Sequence, residues 1–250
     1  MNWNVLASSA GRTGVQNMFL DYALLRAAQD GVAFLRLYSW EPPCLSFGRN
    51  EAVLKRYDAD RIKKLNLDTV RRPTGGRAVW HETELTYTIA GPLSLFGGLR
   101  ETYLSIHQMI KNSLTMLGVS CDLAADSHPV AGTASGACFA SPVGGEIVAR
   151  GRKLVGSAQL REGDAFLQHG SLLLENRQEV VSRVTRGRAA AQQAISLSDC
   201  LDRHVSFDEV ATAMSEHARS AWPGNWQIGT EPAPALDGLD FADPQWTWRR

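Results

Sequence analysis

The stretch TVRRPTGGRAVWHETELTYTIAG, residues 69–91, decides the fold. Its second half contains LTYTIA (85–90), which alternates apolar and polar residues as a half-buried strand does. Between this run and the preceding apolar residues stand Gly75 and Gly76, and adjacent glycines let a backbone adopt a positive φ or pass close to a ligand. The stretch therefore predicts a strand, a glycine turn and a second strand, with the turn as a candidate binding loop.

Helical and strand patterns surround this stretch on both sides. The spacing of apolar residues predicts helices over 15–29, 58–67, 101–117 and 208–222. Short apolar or alternating runs predict strands over 34–40, 44–48, 146–150, 153–160 and 166–174. Because helices and strands do not alternate strictly, the order predicts an α+β fold, a mixed sheet flanked by helices. We expect one domain over residues 1–222 and a Pro- and Trp-rich C-terminal tail over 223–250 that wraps it.

Composition and charge limit the classes of function. The chain has 250 residues, with 26 Lys+Arg against 26 Asp+Glu, so there is no global basic field for nucleic acid or an anionic membrane. No apolar stretch approaches the roughly 18 to 20 residues of a membrane span. The first residues lack the basic start and apolar run of a signal peptide. We therefore expect a cytoplasmic protein that binds neither nucleic acid nor membrane.

The cysteines show neither disulfide nor zinc patterning. None of the four, Cys44, Cys121, Cys138 and Cys200, belongs to a CxxC pair, and the sequence HETEL (81–85) lacks the second histidine of a zinc helix. We therefore expect free thiols and no metal. Cys44, Cys121 and Cys200 look structural, whereas Cys138 ends a loose stretch of small residues over 124–137.

Cys138 and Lys153 suggest covalent catalysis. Lys153 follows fifteen residues after Cys138 on a predicted strand, a separation that lets a loop thiol fold back against the ammonium. A neighbouring cation lowers the pKa of a thiol, and the resulting thiolate attacks a thioester carbonyl. The spacing alone also allows a small buried cysteine and a surface lysine, so both interpretations stay open.

The glycine turn carries basic residues. Arg71, Arg72 and Arg77 are positioned to meet phosphate or pantetheine oxygens, although a hairpin turn with solvated arginines explains the same pattern. His81 and His169 stand beside small residues at strand ends, where either a pocket or a structural role is open to them. His107, on the predicted helix over 101–117, is expected at the surface or an interface.

Three motifs in order go beyond these physical arguments. They are LRLYSWEPPCLSFGRN (35–50), RRPTGGRAVWHETELTYTIA (71–90), and ACFASP (137–142) followed by GRKLVGSAQLREGDAFLQHGSLLL (151–174). Together they resemble the biotin/lipoate protein ligase superfamily over roughly residues 15–180. Within it the chain is most similar to octanoyltransferases of the LipM type, with TGGRAV-x-H-x-x-ELTY at 74–87 and ACF-x-SP ahead of GRK-x-x-GSAQ. The loop PVGGE (142–146) and the ending WTWRR depart from that pattern.

The resemblance implies a reaction and a set of site residues. Octanoyl would pass from acyl carrier protein to Cys138 as nucleophile, with Lys153 lowering the pKa of its thiol, and then to a lysine of a lipoyl-domain protein such as glycine cleavage H protein. No ATP, metal or diffusible cofactor is implied. The expected substrate-binding residues are Arg72, Thr74, Gly75, Gly76, Arg77, Ala78, Val79, His81, Ser157, Ala158, Gln159, His169, Gly170 and Ser171.

Other functions share parts of this pattern. An ATP-dependent lipoate–protein ligase would use the same fold and a lysine like Lys153, but it needs no cysteine. An amidotransferase that moves acyl groups between lipoyl proteins would also use a cysteine. Biotin ligase is a further enzymatic alternative, and an acyl-binding scaffold without catalysis is the alternative from another class.

Overall fold

A computed structural model describes residues 1–125, 144–187, 194–232 and 238–249. Its architecture is a mixed sheet with helices packed on both faces, so the predicted α+β fold is confirmed. Two smaller sheets lie beside the main one.

The main sheet has the strand order β10-β11-β6-β2-β1-β12. Strands β10, β11, β6 and β2 pair antiparallel, whereas β1 pairs parallel with both β2 and β12. Their bounds are β1 (Asn2–Arg12), β2 (Ala33–Trp40), β6 (Glu84–Pro92), β10 (Val155–Glu162), β11 (Ala165–Leu173) and β12 (Asn225–Ile228).

The two small sheets carry the remaining described strands. One has the order β4-β3-β5, with β3 (Cys44–Phe47), β4 (Asp68–Arg71) and β5 (Val79–His81). The other has the order β7-β8-β9, with β7 (Asp122–Leu123), β8 (Ile147–Ala149) and β9 (Arg152–Lys153). The predicted glycine turn therefore connects β4 and β5, which both pair with β3.

The described helices are α1 (Gly14–Ala27), α2 (Val53–Arg56), α3 (Ala59–Lys64), α4 (Leu99–Met116), α5 (Glu179–Val184), α6 (Leu197–Leu201), α7 (Phe207–Ala221) and α8 (Pro244–Trp248). Thr13 caps α1: its hydroxyl accepts from the Gln16 N–H, and the Gln16 side chain accepts from the Thr13 N–H. Among the described helices, none combines the length and apolar composition that a bilayer crossing demands.

Alternation along the central strands divides the core into two faces. In β2, Leu35 and Leu37 join the cluster formed with α4 and α7, while Phe34 and Tyr38 join the cluster formed with α1. A strand that is buried on both faces has this property, because successive side chains point to opposite sides. Residues of the central strands can thus reach either α1 or α4, and both helices contribute to the site described below.

The N-terminal strand has no sign in the sequence, and some of the C-terminal residues join the main sheet. No strand was expected over residues 2–12, because the sequence shows no apolar alternation there beyond Trp3 and Val5. In the structure these two are the buried residues of β1. Within the tail over 223–250, β12 lies at the edge of the main sheet and Trp226 stacks on Trp3 with ring centroids 4.6 Å apart.

Candidate active site

A cavity opens where β10 and β11 meet the small sheet that carries the glycine turn. It collects residues from α1, β2, the turn, β5, β6, β10 and β11. The lining residues are Met18, Tyr38, Trp40, Arg72, Gly76, Val79, His81, Thr86, Gly156, Ser157, Ala158, His169, Gly170 and Ser171. Most of the residues expected to bind substrate are therefore brought together around one cavity.

His81 is held as a neutral imidazole in one orientation. Ser46 Oγ lies 2.5 Å from Arg72 Nη1, which donates to it, and 2.5 Å from His81 Nε2. Because Nδ1 carries the hydrogen of the neutral ring, Nε2 accepts, and the Ser46 hydroxyl donates its hydrogen to it. His81 Nδ1–H then donates to Glu84 Oε1 at 2.7 Å. Burial lowers the pKa of His81 although Glu84 opposes the shift. The Trp40 ring stacks on His81 at 3.8 Å, which fixes the imidazole as a cavity wall.

His169 forms a second anchored imidazole on the α1 side. Its Nδ1 lies 2.8 Å from Asp21 Oδ2 and its Nε2 lies 2.6 Å from Thr74 Oγ1. Burial raises the pKa of Asp21, but the His169 hydrogen bond and the Arg36 guanidinium outweigh it, so the pKa is lowered overall. An ionised Asp21 therefore orients His169, and through it Thr74 at the start of the glycine turn.

A third imidazole, His107 on α4, reaches the cavity through Ser157. Its Nδ1 lies 2.6 Å from the Gly145 carbonyl oxygen and its Nε2 lies 2.8 Å from Ser157 Oγ. Burial and the charge of Lys153 lower the pKa of His107 to about 4, against the opposing effect of the Gly145 bond. His107 was expected at the surface or an interface, and the surface position is wrong, because the residue is fully buried. A signal was present, since His107 precedes the apolar Ile110 by three residues and Leu114 by seven.

Lys153 lies in the interior beside a carboxylate. Its Nζ is 2.7 Å from Glu146 Oε1, and both side chains are at most 5% exposed. The alternative of a surface lysine is therefore wrong. A buried ammonium next to a carboxylate retains its charge better than an isolated one, because the partner offsets the cost of desolvation.

Arg72 holds the backbone of the glycine turn through hydrogen bonds. Its Nη2 donates to the carbonyl oxygens of Gly75 and Arg77, at 3.2 and 2.9 Å. Thr74, Gly75, Arg77 and Ala78 do not line the cavity themselves, and neither does Gln159, whose amide donates to Leu99 O and Gln168 Oε1.

Arg71 has a different environment from the one the sequence suggested. Its buried guanidinium donates to carbonyl oxygens, among them Gly48 O at 2.9 Å, Thr247 O at 3.1 Å and Arg249 O at 2.7 Å. It does not line the cavity. Arg71 therefore ties the C-terminal residues to the domain, and the expected contact with a phosphate or pantetheine is wrong for this arginine.

Cys138 lies outside the described residues, so its pairing with Lys153 stays a prediction. The three described cysteines have a common property: burial raises the pKa of Cys44, Cys121 and Cys200 above the ordinary value of a thiol. A thiol with a raised pKa holds little thiolate and is a poor nucleophile. Among the described residues there is also no group of three His, Cys, Asp or Glu side chains placed to hold a metal ion.

Some cavity residues were not among those expected to bind substrate. Met18, Tyr38 and Trp40 come from α1 and β2, far from the glycine turn along the chain. Their patterns are those of ordinary core helices and strands, so only the folded arrangement reveals that they face the cavity. Thr86 was hidden for the same reason within an alternating strand.

Comparisons with known proteins agree on one family. A family model described as the lipoyl protein ligase A/B catalytic domain matches residues 13–219. An octanoyltransferase LipM of Carboxydothermus hydrogenoformans is 38% identical over 216 residues, covering 80% of both chains. Another octanoyltransferase LipM, from Kyrpidia tusciae, is 33% identical over 99% of both chains.

Solved structures show the same fold at lower identity. A crystal structure of lipoate-protein ligase A bound with ATP matches with a TM-score of 0.78 at 20% identity, covering 98% of both chains. A bi-partite lipoate protein ligase from Thermoplasma acidophilum, studied with its E2 lipoyl domain, matches with a TM-score of 0.77 at 19% identity, covering 99% of this chain and 96% of the other. At these identities the structures establish the fold alone.

Proposed function

This chain belongs to the lipoyl protein ligase A/B catalytic domain family, and from that premise we propose that it is an octanoyltransferase of lipoate biosynthesis. In the proposed reaction, octanoyl leaves the thioester of acyl carrier protein for Cys138. It then passes to a lysine of a lipoyl-domain protein such as glycine cleavage H protein. The observation that carries the proposal is the set of relatives, 30–38% identical over most of the chain, that are named octanoyltransferase LipM.

The choice of Cys138 as nucleophile is supported by the other cysteines. Burial of Cys44 and Cys121 and partial burial of Cys200 raise the pKa of all three thiols, which suits structural thiols and not nucleophiles. Cys138 alone stands in the motif ACFASP that precedes Lys153.

The setting of Lys153 supports its proposed role. A charged ammonium lowers the pKa of a thiol within a few ångströms, and the effect is larger in the interior, where water screens less. The Lys153 side chain is buried, and the Glu146 carboxylate 2.7 Å from its Nζ offsets part of its field. We propose that Lys153 supplies the cation that ionises the Cys138 thiol.

The proposed chemistry requires neither ATP nor a metal. A thioester is an activated acyl group, so exchange between two thiols is close to balanced in energy. Attack of an amine on the resulting acyl-enzyme exchanges a thioester for a more stable amide. The chain therefore needs only a nucleophile, a cation and a cavity that positions the acyl group.

An intact-mass experiment tests the proposal. The protein is incubated with octanoyl-acyl carrier protein without ATP, and a hydroxylamine-labile octanoyl adduct is expected. The adduct should be lost in Cys138→Ala and retained in Cys200→Ala, a matched cysteine on α6 that is only partly buried. A second incubation with the H protein should move the octanoyl group to its lipoyl lysine.

Other outcomes identify the alternatives. An acyl group activated only in the presence of ATP and free octanoate would favour ligation over transfer. Efficient loading of Cys138 from octanoylated H protein, and not from carrier protein, would favour the amidotransferase. Absence of any acyl group on the protein under all three conditions would refute the proposed acyl transfer.

A further inference from the structure

A directed chain of hydrogen bonds crosses the sheet and ends at the cavity wall. Gln159 Nε2 lies 3.0 Å from the Leu99 carbonyl and 2.9 Å from Gln168 Oε1, so this amide nitrogen donates to both oxygens. Gln168 Nε2 consequently donates to the Tyr87 hydroxyl at 2.9 Å. Tyr87 in turn lies 2.6 Å from Ser157 Oγ.

The other end of the chain fixes the direction at Ser157. The Gly145 carbonyl can only accept, so His107 Nδ1 carries a hydrogen and donates to it at 2.6 Å. The depressed pKa of His107, about 4, keeps the imidazole neutral, and its Nε2 is then an acceptor. Ser157 therefore donates its single hydrogen to His107 Nε2 and accepts the hydrogen of Tyr87.

This leaves one acceptor site on Ser157. A hydroxyl has one hydrogen and two lone pairs, and the hydrogen and one lone pair are used by His107 and Tyr87. Ser157 is partly exposed and lines the cavity, so the second lone pair is open to whatever occupies that space. The hydrocarbon part of an acyl chain offers no donor to it. A group with an N–H or O–H is required.

Ser157 is linked to the Lys153–Glu146 pair through His107, which contacts Ser157 Oγ with Nε2 and the carbonyl of Gly145, the residue before Glu146, with Nδ1. The charge of Lys153 contributes to lowering the pKa of His107, and the charge of Glu146 contributes to raising the pKa of Tyr87. The charges of the ion pair therefore act on both residues that hold Ser157, His107 and Tyr87. In the proposed function this pair marks the place where the thioester reacts. Two groups with N–H bonds come near it, the pantetheine arm of the donor and the acceptor lysine, and only the lysine nitrogen attacks the carbonyl carbon.

We propose that Ser157 is a positioning residue for the second half of the reaction: it accepts a hydrogen bond from the attacking lysine amine and is held for this by His107 and Tyr87. The inference rests on the proposed function. In the step, the nitrogen–carbon bond forms and the carbon–sulfur bond breaks. The enzyme sulfur leaves with the electron pair of the broken bond, and the proton lost by the nitrogen neutralises it. The nitrogen gains positive charge as it attacks, so the bond to Ser157 strengthens in the transition state.

Separate measurement of the two half-reactions tests the inference. Ser157→Ala is loaded with octanoyl-acyl carrier protein, and the acyl-enzyme is then mixed with the H protein while intact mass is followed over time. Loading is expected to keep its rate. Discharge to the H-protein lysine is expected to slow about 10- to 100-fold, the loss of one charge-assisted hydrogen bond. Ser113→Ala, a buried serine whose hydroxyl donates to Met109 O on α4, should keep both rates.

A second variant and a ¹⁵N spectrum distinguish the proposed positioning role of Ser157 from a general loss of structure. His107→Asn removes the acceptor that takes the Ser157 hydrogen, and it is expected to slow discharge and not loading. In the wild-type protein, ¹⁵N spectra should show His107 protonated at Nδ1 and bare at Nε2, with the Nε2 shift changed in Ser157→Ala.

The outcomes separate this inference from the function on which it rests. Failure of the wild-type protein to become acylated refutes the proposed function. Normal loading with undiminished discharge in Ser157→Ala overturns the inference alone. Slowed loading with normal discharge would place the N–H donor on the pantetheine arm of the donor thioester, which also overturns it.

Discussion

Three imidazoles surround the cavity, and each is anchored through Nδ1 to a different acceptor. His81 is anchored to Glu84, His169 to Asp21, and His107 to a main-chain carbonyl. At His81 the Glu84 carboxylate opposes the lowering of the pKa by burial, and at His107 the hydrogen bond to the Gly145 carbonyl does so. The hydrogen-bond partner of Nδ1 therefore differs among the three histidines, and the sequence motifs do not report which partner each ring has.

Gly170 makes room for the Ser157–Tyr87 contact. A Cβ built on Gly170 would lie 2.6 Å from Ser157 Oγ and 2.7 Å from Tyr87 Cε1. Gly170→Ala is therefore expected to destabilise the protein by about 1–3 kcal/mol through overpacking. Urea unfolding followed by circular dichroism measures this. Gly75→Ala is the control: nothing lies within 4 Å of its Cβ, and it should stay within about 0.5 kcal/mol of wild type. Equal effects of the two substitutions would contradict the steric argument.

The buried Lys153–Glu146 pair predicts strong coupling between the two residues. Lys153→Met and Glu146→Gln each leave one buried group without this partner, and each is expected to cost about 3–5 kcal/mol. The double variant should cost clearly less than the two added together. A double-mutant cycle of unfolding free energies measures the coupling.

An exposed pair provides the comparison. Arg183 and Glu179 lie 4.0 Å apart on α5 with side chains 62% and 52% exposed, and their coupling is expected below about 1 kcal/mol. Additive effects in the Lys153–Glu146 cycle would show that the two charges do not depend on each other in the folded protein.

At the scale of elements, the sequence predicted what periodicity encodes. The helix predicted over 101–117 is Leu99–Met116, and the one predicted over 208–222 is Phe207–Ala221, because both carry an apolar stripe. Strand β1 carries no such pattern beyond Trp3 and Val5, since most of its other side chains are solvent-exposed. Its place in the sheet comes from parallel pairing with β2 and β12, which is a long-range property.

Arg71 holds the C-terminal helix α8 to the domain. Removal of α8 is therefore expected to destabilise the domain. Deleting residues 244–250 removes Thr247 O and Arg249 O, two acceptors of the buried guanidinium. It also removes the Trp246 indole that donates to Arg71 O at 2.9 Å. Hydrogen bonds to a charged group are each worth about 1.5–3 kcal/mol, so a loss of about 2–5 kcal/mol is expected. Thermal unfolding of the truncated protein measures it.

Arg71 variants show whether the contact itself is responsible. Arg71→Met should lower the free energy of unfolding more in the full chain than in the truncated protein. After the deletion, part of the hydrogen-bond network of Arg71 is already absent. Arg183→Met, an exposed arginine on α5, should have little effect in either background. A truncation that leaves the stability unchanged would mean that α8 contributes nothing to the domain.

At the scale of the whole molecule, the cavity is a product of packing and not of any one motif. The turn TGGR and the run GSAQ were visible in the sequence because glycines and small residues are unusual there. Tyr38 and Trp40 lie in the motif at 35–50, but as members of a strand that is buried on both faces they gave no sign that they face the cavity. The sequence therefore located the walls formed by TGGR and GSAQ, and the fold added the walls carried by α1 and β2.

Burial of neutral histidines predicts how the stability of the whole protein depends on pH. The pKa of His107 is about 4 in the folded protein, below the ordinary value of about 6.5, and burial also lowers the pKa of His81. Between these values the unfolded chain binds more protons, so the free energy of unfolding falls as the pH falls from about 6.5 to 4. The His107 contribution is about 3 kcal/mol across that range. Asp21, whose pKa is lowered, loses its contribution only at lower pH.

Urea unfolding at a series of pH values between 4 and 7 measures this dependence. His107→Asn should flatten the slope, because the residue that takes up the proton on unfolding is absent. His217→Asn, a partly exposed histidine on α7, should keep the slope of the wild-type protein. A ¹⁵N titration of His107 in the wild-type protein checks the same quantity directly, and it should show no protonation of the native imidazole above about pH 5. A native His107 that titrates near pH 6.5 would contradict the prediction. It would also mean that the Ser157 hydroxyl is free to reverse its direction near neutral pH.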